Sequence, residues 1–367
     1  MKDTLQKISA DMLRVYESRI AQNWDIGLFF MLTAGSRLKI FREIRNRMDI
    51  ALQSGKQGEP DYAGAHLEAV VGDFGSGKSH LAYLLARDAK AGIPDCLLMN
   101  FQMTGDRKLP KVLQNLLQTA QLPHGINPFH KLRSKFNLAN NANISIATNI
   151  VRECAGSLDA RFADDFVAAL RGLNVDVDGN LAPQTPLRAF VDQWIGRQDH
   201  RKAIDAFLGI LRCMKGMEVS SRCVLLIDEF EALEVERPED YRHFFQGLQD
   251  LHDDLGGRRQ GLPSTFIALF ATSTFLETAE AALPSLFSVG DRLRAKSEMQ
   301  ALEKSEFLAL FDRYRSLCYL AGKTHHIADD EAALLSAEKA WQGLRIDQRR
   351  HMRTVHSTLR RLADPAA

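Results

Sequence analysis

The chain has 367 residues, of which 45% are hydrophobic, so it is long enough for one large domain with or without a smaller companion. Its 47 basic and 46 acidic side chains leave a net charge of +1, which excludes a global electrostatic attraction to nucleic acid or membrane. The five cysteines form no CxxC pair and indicate buried thiols in a reducing compartment.

The N-terminal region predicts helices and no targeting segment. Apolar residues recur at helical spacing over residues 3–24 and again over residues 36–52. The start, MKDTLQKISADML, is too polar for a secretory signal. The run IGLFFMLTA is much shorter than the ~20 apolar residues of a membrane-spanning helix. We therefore expect a cytoplasmic protein without a membrane span, with a helical N-terminal region over residues 1–60.

A strand, a glycine-rich loop, a helix and a second strand follow in that order. HLEAVVG, at 66–72, is a short apolar run that predicts a buried strand. SHLAYLLARDAK, at 79–90, has helical periodicity, and DCLLMNF, at 95–101, predicts the second strand. This order is typical of a parallel βαβ unit.

The rest of the chain predicts further strands among many helices. RCVLLIDEFEAL, at 222–233, and STFIALFATST, at 264–274, contain apolar runs typical of buried strands, and a helix is predicted between them at 240–255. The fold class is therefore α/β: a P-loop NTPase core with a parallel sheet flanked by helices. The predicted domains are the core at 61–296, with a helical insertion at about 104–218, and a helical C-terminal lid at 297–367.

The loop GDFGSGKS, at 72–79, matches the phosphate-binding pattern G-x-x-x-x-G-K-[ST] at every fixed position. Glycines let backbone amides surround phosphates, Lys78 reaches the β- and γ-phosphates, and the Ser79 hydroxyl binds Mg²⁺. The following helix directs its positive end at the same anion. The residues predicted to bind the nucleotide are Gly72, Asp73, Phe74, Gly75, Ser76, Gly77, Lys78, Ser79 and His80. The alternative is a glycine-rich turn that matches by chance.

The second motif is CVLLIDEFE, in which four apolar residues lead into Asp228 and Glu229. A carboxylate at the end of a buried strand is costly unless a cation compensates it, so Asp228 is predicted to bind Mg²⁺. Glu229 is the predicted base that deprotonates the attacking water, with Glu231 as a weaker rival. The pair favours ATP hydrolysis over kinase or GTPase chemistry. The alternative is a helix N-cap at the end of the strand.

Thr272, Ser273 and Thr274 end the strand that we expect beside the second motif. Polar side chains there are candidates for sensing the γ-phosphate and aligning water. The alternative is simple capping of the strand end.

The remaining candidate site residues are arginines that could act on the nucleotide. Arg292 and Arg294 lie where an arginine in ring-forming ATPases contacts the nucleotide of the next subunit, and they are predicted to stabilise charge on the transferred phosphoryl group. A surface salt bridge is the alternative. Arg353 is a candidate lid arginine for the nucleotide, with Arg360 and Arg361 as rivals, and a solvated basic helix face is the alternative.

Together, VVGDFGSGKSHL and VLLIDEFEAL resemble the AAA+/STAND-like P-loop ATPases. More narrowly, they resemble the BREX-type ATP-binding proteins of bacterial phage-defence islands, with the ATPase of phosphorothioation defence islands a close second. The motifs that carry the resemblance cover roughly residues 66–90 and 222–275. It transfers nucleotide- and magnesium-binding roles to Gly72, Gly75, Gly77, Lys78, Ser79, Asp228 and Glu229.

The resemblance implies an ATP- and Mg²⁺-binding component of a defence complex, with other proteins of that complex as partners and a homo-oligomer as a possible assembly. The near-neutral charge disfavours tight DNA binding by the chain alone. Three functions stay open: an ATP-hydrolysing switch or motor, a nucleotide-dependent binding module with negligible hydrolysis, and a DNA loader or helicase-like protein. The Asp228–Glu229 pair favours the first over the second, and the lack of a winged-helix signal disfavours the third.

Overall fold

The computed structural model describes residues 35–363 except 54–64, 104–107, 139, 157, 174–185, 236–237, 257–260, 283, 285–292 and 321–329. The helix predicted at 3–24 lies outside the described residues. No described helix is both long enough and apolar enough to cross a membrane.

The strands are β1 (His66–Val71), β2 (Cys96–Gln102), β3 (Arg222–Asp228), β4 (Ser264–Ala271) and β5 (Leu293–Glu298). The helices before β3 are α1 (Gly35–Gln53), α2 (Lys78–Gly92), α3 (Leu109–Gln118), α4 (Pro128–Lys135), α5 (Ile144–Ala155), α6 (Ala160–Arg171), α7 (Pro186–Val191) and α8 (His200–Gly216). The helices after β3 are α9 (Pro238–Gly256), α10 (Ser273–Ala282), α11 (Lys304–Leu320), α12 (Asp330–Gly343), α13 (Ile346–Arg350) and α14 (Met352–Ala363).

The five strands form one sheet in the order β2-β3-β4-β1-β5. β2 pairs with β3, β3 with β4, and β4 with β1, all in parallel. This confirms the predicted α/β class with a parallel sheet and flanking helices. Because parallel strands end at the same edge, the residues that follow β1, β3 and β4 all leave the sheet on one side.

The central strands are apolar along almost their whole length. In β3 every residue after Arg222 is buried, and β1 and β4 show the same pattern after their first residues. Continuous burial of this kind is expected when helices cover both faces of a parallel sheet. β5 is different, because it lies at the edge and alternates buried with exposed residues. No strand was predicted for this segment from the sequence.

The described residues divide into two compact units. The first comprises residues 35–44, 72–84 and 298–363, with the gap at 321–329. Its apolar core lies among the C-terminal helices and is built by Phe307, Phe311, Tyr314, Trp341 and Val355, among others. The second comprises Arg45–Val71 and Leu85–Ser297, with the gaps given above, and contains the sheet up to Ser297.

The described part of the segment between β2 and β3 is mostly helical and belongs to the second unit. Asn127, Asp159 and Asp199 cap its helices by accepting hydrogen bonds from backbone amides. An aromatic cluster, in which Phe162 stacks on Phe166 and meets Trp194 edge-on, fills its centre. The segment thus has defined helix ends, and its buried residues belong to one apolar core together with the strands.

Candidate functional site

The glycine-rich loop begins directly after β1, as its motif predicts. Gly75 and Gly77 have φ angles of 74° and 99°, a conformation that side chains disfavour. The amide of Ser76 donates to the carbonyl of Asp73 at 3.1 Å, which closes the turn between them. α2 then begins at Lys78. The backbone therefore has the local shape that a phosphate-binding loop requires at the start of a helix.

The side chain of Lys78 folds back over the loop that precedes it. Its side chain is 6% exposed, and its ammonium donates to the carbonyls of Gly72 at 2.8 Å and Asp73 at 3.3 Å. The same ammonium lies 5.7 Å from the centre of the Phe74 ring, which is itself 70% exposed. These contacts hold the positive charge against the loop, where the anion of a ligand would be bound.

The serines of the loop differ in their surroundings. Ser76 is 1% exposed, and among the described residues its hydroxyl has no hydrogen-bond partner. A buried hydroxyl without a partner is costly, so it suits a ligand that supplies one. Ser79, the predicted magnesium ligand, is exposed in the first turn of α2. His80 follows it, and burial lowers the pKa of its imidazole to about 4.

The C-terminal helices of the first unit contact the loop at α13 and α14. The amide of Met352 donates to the carbonyl of Gly75 at 2.6 Å, and Arg350 lies 3.3 Å from the Asp73 carboxylate. The His351 ring fills the space where a side chain at Gly75 would begin. Residues 350–352 were not among the sequence-based candidates. The sequence signal that was available is the short break between two basic helices.

The predicted lid arginine and its rivals all lie on α14. The side chain of Arg353 lies outside the described part of the structure, as does that of Arg360. Arg361 is exposed on α14. The role of Arg353 therefore stays a prediction.

The acidic pair lies in the second unit. Asp228 ends β3 and is 6% exposed, and its carbonyl accepts a hydrogen bond from the amide of Met103 at 2.9 Å. Glu229 follows with a φ angle of 54°, which is rare for a residue with a side chain. Such backbone strain persists only where the surroundings enforce it, and it is frequent at functional sites.

The packing of Phe230 holds the backbone of the preceding residue, Glu229, in this conformation. Phe230 is fully buried, meets Phe275 edge-on with ring centres 5.5 Å apart, and lies 5.8 Å from Phe244. The carbonyl of Glu229 accepts from the amide of Ala232 at 2.8 Å, which starts a short 3₁₀ turn. Glu231, the rival base, is 8% exposed in that turn. Glu229 is partly exposed and so is the more accessible carboxylate of the two.

The third predicted cluster lies at the end of β4, which pairs with β3 as expected. Thr272 is buried, and its hydroxyl accepts from the amide of Phe275 at 3.3 Å. It therefore caps the N-terminus of α10, whereas the alternative that the sequence left open was capping of the strand end. Ser273 and Thr274 form the first turn of α10, and Thr274 is exposed. A phosphate-sensing role for the three residues stays a prediction.

The strand order sets the spacing of these groups within the sheet. β4 lies between β1 and β3, so the ends of β1 and β3 are two strand spacings, or about 10 Å, apart. Gln102 ends β2 directly beside Asp228 and is exposed, and it was not a sequence-based candidate. A polar row thus runs along the carboxyl edge through Gln102, Asp228 and Thr272.

One of the two candidate trans-acting arginines lies within the described residues. Arg294 is exposed on β5, at the edge of the sheet. Arg292 lies outside the described residues. The contribution of either to another subunit stays a prediction.

The predicted metal ion is Mg²⁺, with Ser79 and Asp228 as its ligands. Among the described residues, no group of three or more His, Cys, Asp or Glu side chains is arranged to hold a metal ion. Mg²⁺ is ordinarily held by one or two protein oxygens together with phosphate and water, so it does not require such a group. The assignment of Ser79 and Asp228 as ligands stays a prediction.

The comparison with known proteins gives a distant structural similarity. No protein-family model and no curated protein matches the sequence. Among solved structures, the Aeropyrum pernix ORC2 protein, in its ADPNP-ADP complexes, matches 95% of this chain and 71% of that chain, with a TM-score of 0.42 and 12% sequence identity. A likeness this distant assigns neither a family nor a ligand to the chain, so the site has to be understood from its own residues.

Proposed function

We propose that the chain binds and hydrolyses Mg-ATP. The observation that carries the proposal is the loop after β1, in which two left-handed glycines precede α2 and the buried ammonium of Lys78, the first residue of α2, lies against the loop. Amide groups and a lysine in this arrangement are suited to the β- and γ-phosphates of a nucleoside triphosphate. The same loop provides the buried Ser76 hydroxyl as a further donor.

The other roles follow from the chemistry of the residues. Mg²⁺, when bound, neutralises phosphate charge, and Ser79 and Asp228 are the side chains that would hold it. Glu229 is the proposed base that takes a proton from the attacking water, since it is a partly exposed carboxylate in an enforced conformation. Arg292, Arg294, Arg353 and the cluster at 272–274 are proposed helpers.

Two variants test binding and hydrolysis separately. Lys78→Ala should abolish the rise in unfolding temperature that Mg-ATP produces in the wild type. Glu229→Gln should retain that rise and lose phosphate release. Lys215→Ala is a control for the loss of a lysine, because Lys215 donates to the Leu262 carbonyl in the second unit, away from the motif sequences. An unchanged thermal shift in Lys78→Ala would remove this residue from the site.

The hydrolysis assay also separates the first function from a pure binding module. If wild type and Glu229→Gln release phosphate equally slowly while both bind ATP, the chain uses the nucleotide only as a structural switch. A gel shift with duplex DNA at low and physiological salt tests the loader alternative, because binding without a dedicated site disappears as salt rises.

The biological setting rests on the sequence motifs alone. We infer a component of a bacterial anti-phage defence or DNA-modification complex, in which the ATP cycle switches partner proteins on DNA. The helical segment between β2 and β3 and the terminal helices are the proposed partner surfaces. Affinity capture from the native host, with sizing in the presence and absence of ATP, tests both the partners and a homo-oligomer.

A further inference from the structure

Two cysteines meet where α5 packs on α8, within the second unit. Cys154 is the next-to-last residue of α5, and Cys213 lies in the last turn of α8. Both are free thiols. Cys213 lies about one turn from both Gly209 and Gly216, on the face of α8 that packs against the end of α5, so its side chain is next to that of Cys154. Cys213 is buried, whereas Cys154 is partly exposed. One thiol of the pair is therefore reachable from solvent.

Small residues allow the two helices to approach closely at this point. A side chain at Gly209 of α8 would begin 3.4 Å from the Cα atom of Ala155, and one at Gly216 would begin 3.9 Å from the Cys154 sulfur. Arg212 donates to the Cys154 carbonyl at 3.2 Å and fixes the end of α5. A disulfide needs Cα atoms roughly 5.5–6 Å apart, a spacing that close helix packing through glycine permits.

The two thiols differ in acidity. The neighbouring Cys213 thiol lowers the pKa of Cys154 against the opposing effects of burial and of Glu153, and the charge of Arg212 lowers it further. The neighbouring Cys154 and burial raise the pKa of Cys213. Cys154 is therefore the more acidic and the more exposed thiol, and thiolate is the reactive form of cysteine.

We propose that Cys154 and Cys213 form a peroxide-sensitive dithiol site that closes to a reversible disulfide between α5 and α8. The Cys154 thiolate attacks one oxygen of hydrogen peroxide, the O–O bond breaks, and hydroxide leaves and is protonated to water. Cys213 then attacks the sulfur of the resulting sulfenic acid. The S–S bond forms, the S–O bond breaks, and hydroxide leaves with the Cys213 proton as a second water. Peroxide gains the two electrons that the thiols lose.

The sheet contains a second pair of neighbouring cysteines that serves as an internal control. Cys96 on β2 pairs in register with Arg222, and Cys223 is the next residue along β3. Successive residues of a strand point to opposite faces, so the two thiols lie on opposite sides of the sheet and cannot be joined. Burial also raises the pKa of Cys96 to about 12 and that of Cys223 well above its ordinary value.

The test uses the full-length protein without nucleotide, so its outcome does not depend on ATP chemistry. The protein is treated with hydrogen peroxide at neutral pH, remaining thiols are alkylated, and tryptic peptides are identified by mass spectrometry. We expect a peptide pair joined through Cys154 and Cys213 that disappears after treatment with dithiothreitol. Cys96 and Cys223 should be recovered alkylated.

Three variants sharpen the result. Cys213→Ser should leave Cys154 as a sulfenic acid that dimedone traps, whereas Cys154→Ser should give neither a linked peptide nor a dimedone adduct at Cys213. Cys223→Ser, the matched control, should oxidise like wild type. Recovery of Cys154 and Cys213 both alkylated from peroxide-treated wild type would overturn the proposal. So would a link from Cys154 to Cys318, whose side chain lies outside the described structure.

Discussion

The amide of Met352 donates a 2.6 Å hydrogen bond to the carbonyl of Gly75, so the start of α14 is fastened to the glycine-rich loop. The carbonyl can be reached because Gly75 has no side chain and a φ angle of 74°. A loop proposed to bind phosphate is thereby linked, within one compact unit, to the C-terminal helices.

Gly75→Ala should lower the free energy of unfolding by more than the about 1–2 kcal/mol that a left-handed alanine costs, because the new methyl group would overlap the His351 ring. Urea denaturation measures the change. Gly261→Ala is the control, since Gly261 has a φ angle of 96° and the described atom nearest to the point where a side chain would begin is the Arg212 Cγ at 4.0 Å, so this variant gives a backbone cost without a clash. Adding His351→Ala to Gly75→Ala should recover the steric part. Equal losses in the two single variants would contradict this interpretation.

Glu229→Gly should be more stable than Glu229→Gln by about 0.5–1 kcal/mol, because glycine adopts a φ angle of 54° without strain but loses more chain entropy on folding. Neither variant should release phosphate from ATP. Chemical denaturation and a phosphate assay on the same preparations give both quantities. A glycine variant less stable than the glutamine variant would show that the conformation at this position is not strained.

Arg47→Met should destabilise the protein by about 3–5 kcal/mol, because it leaves a buried carboxylate without its cation. Arg47 donates to both oxygens of Glu68, which is fully buried on β1 and also accepts from the Ser297 hydroxyl at 2.8 Å. The double variant Arg47→Met/Glu68→Leu should recover most of the loss. If the double variant loses as much as the sum of two single variants, the residues do not act as a pair.

The same pair should make stability sensitive to acid. Burial would raise the pKa of Glu68, but the His66 ring nitrogen 3.7 Å away and the hydrogen bonds and charge of Arg47 outweigh it, so the pKa in the folded state is lowered. The stabilisation is therefore present above the ordinary pKa of 4.5 and is lost as pH falls through the folded-state value. Glu68→Gln should flatten the dependence of the unfolding free energy on pH in that range.

A second acid-sensitive group is His356, whose ring nitrogen lies 2.8 Å from the Tyr314 hydroxyl. Burial and the nearby His80 lower its pKa from 6.5 to about 3. Below pH 6.5 the unfolded chain takes up a proton that the folded chain refuses, so stability should fall by about 1.4 kcal/mol per pH unit for this group. His356→Gln should lose less stability than wild type between pH 7 and pH 5. His124→Asn, at an exposed position, should behave as wild type.

The elements that could be predicted from the sequence are those whose pattern lies in consecutive residues. β1, β3 and β4 are largely apolar runs, interrupted only by Glu68 in β1 and by polar residues at the strand ends, and the loop after β1 has a fixed spacing of glycines and lysine. β5 was missed because LRAKSE is rich in charge, and at the sheet edge only Leu293 and Ser297 need to be buried. A strand that is buried at alternate positions only does not differ in composition from a loop or an exposed helix.

The parts that were not predictable depend on residues distant in the chain. His351 and Met352 meet the loop through tertiary packing, and no local pattern distinguishes them from Arg353. Cys154 and Cys213 lie on different helices that pack together, so the five scattered cysteines in the sequence gave no indication of a pair. Thr272 was selected as a possible phosphate sensor, but its role as a helix cap became visible only with the amide of Phe275 in place.

β2 and β3 are hydrogen-bonded neighbours, yet all the helices from α3 to α8 lie between them in sequence. The Ser220 hydroxyl donates to the carbonyl of Asp95 at 2.7 Å and so holds the end of this helical segment beside the start of β2. Loop closure becomes only slightly costlier as a connection lengthens. The segment from α3 to α8 can therefore be shortened, enlarged or replaced in relatives of this chain. For the same reason, a foreign helical module could be grafted there while the strands stay in register.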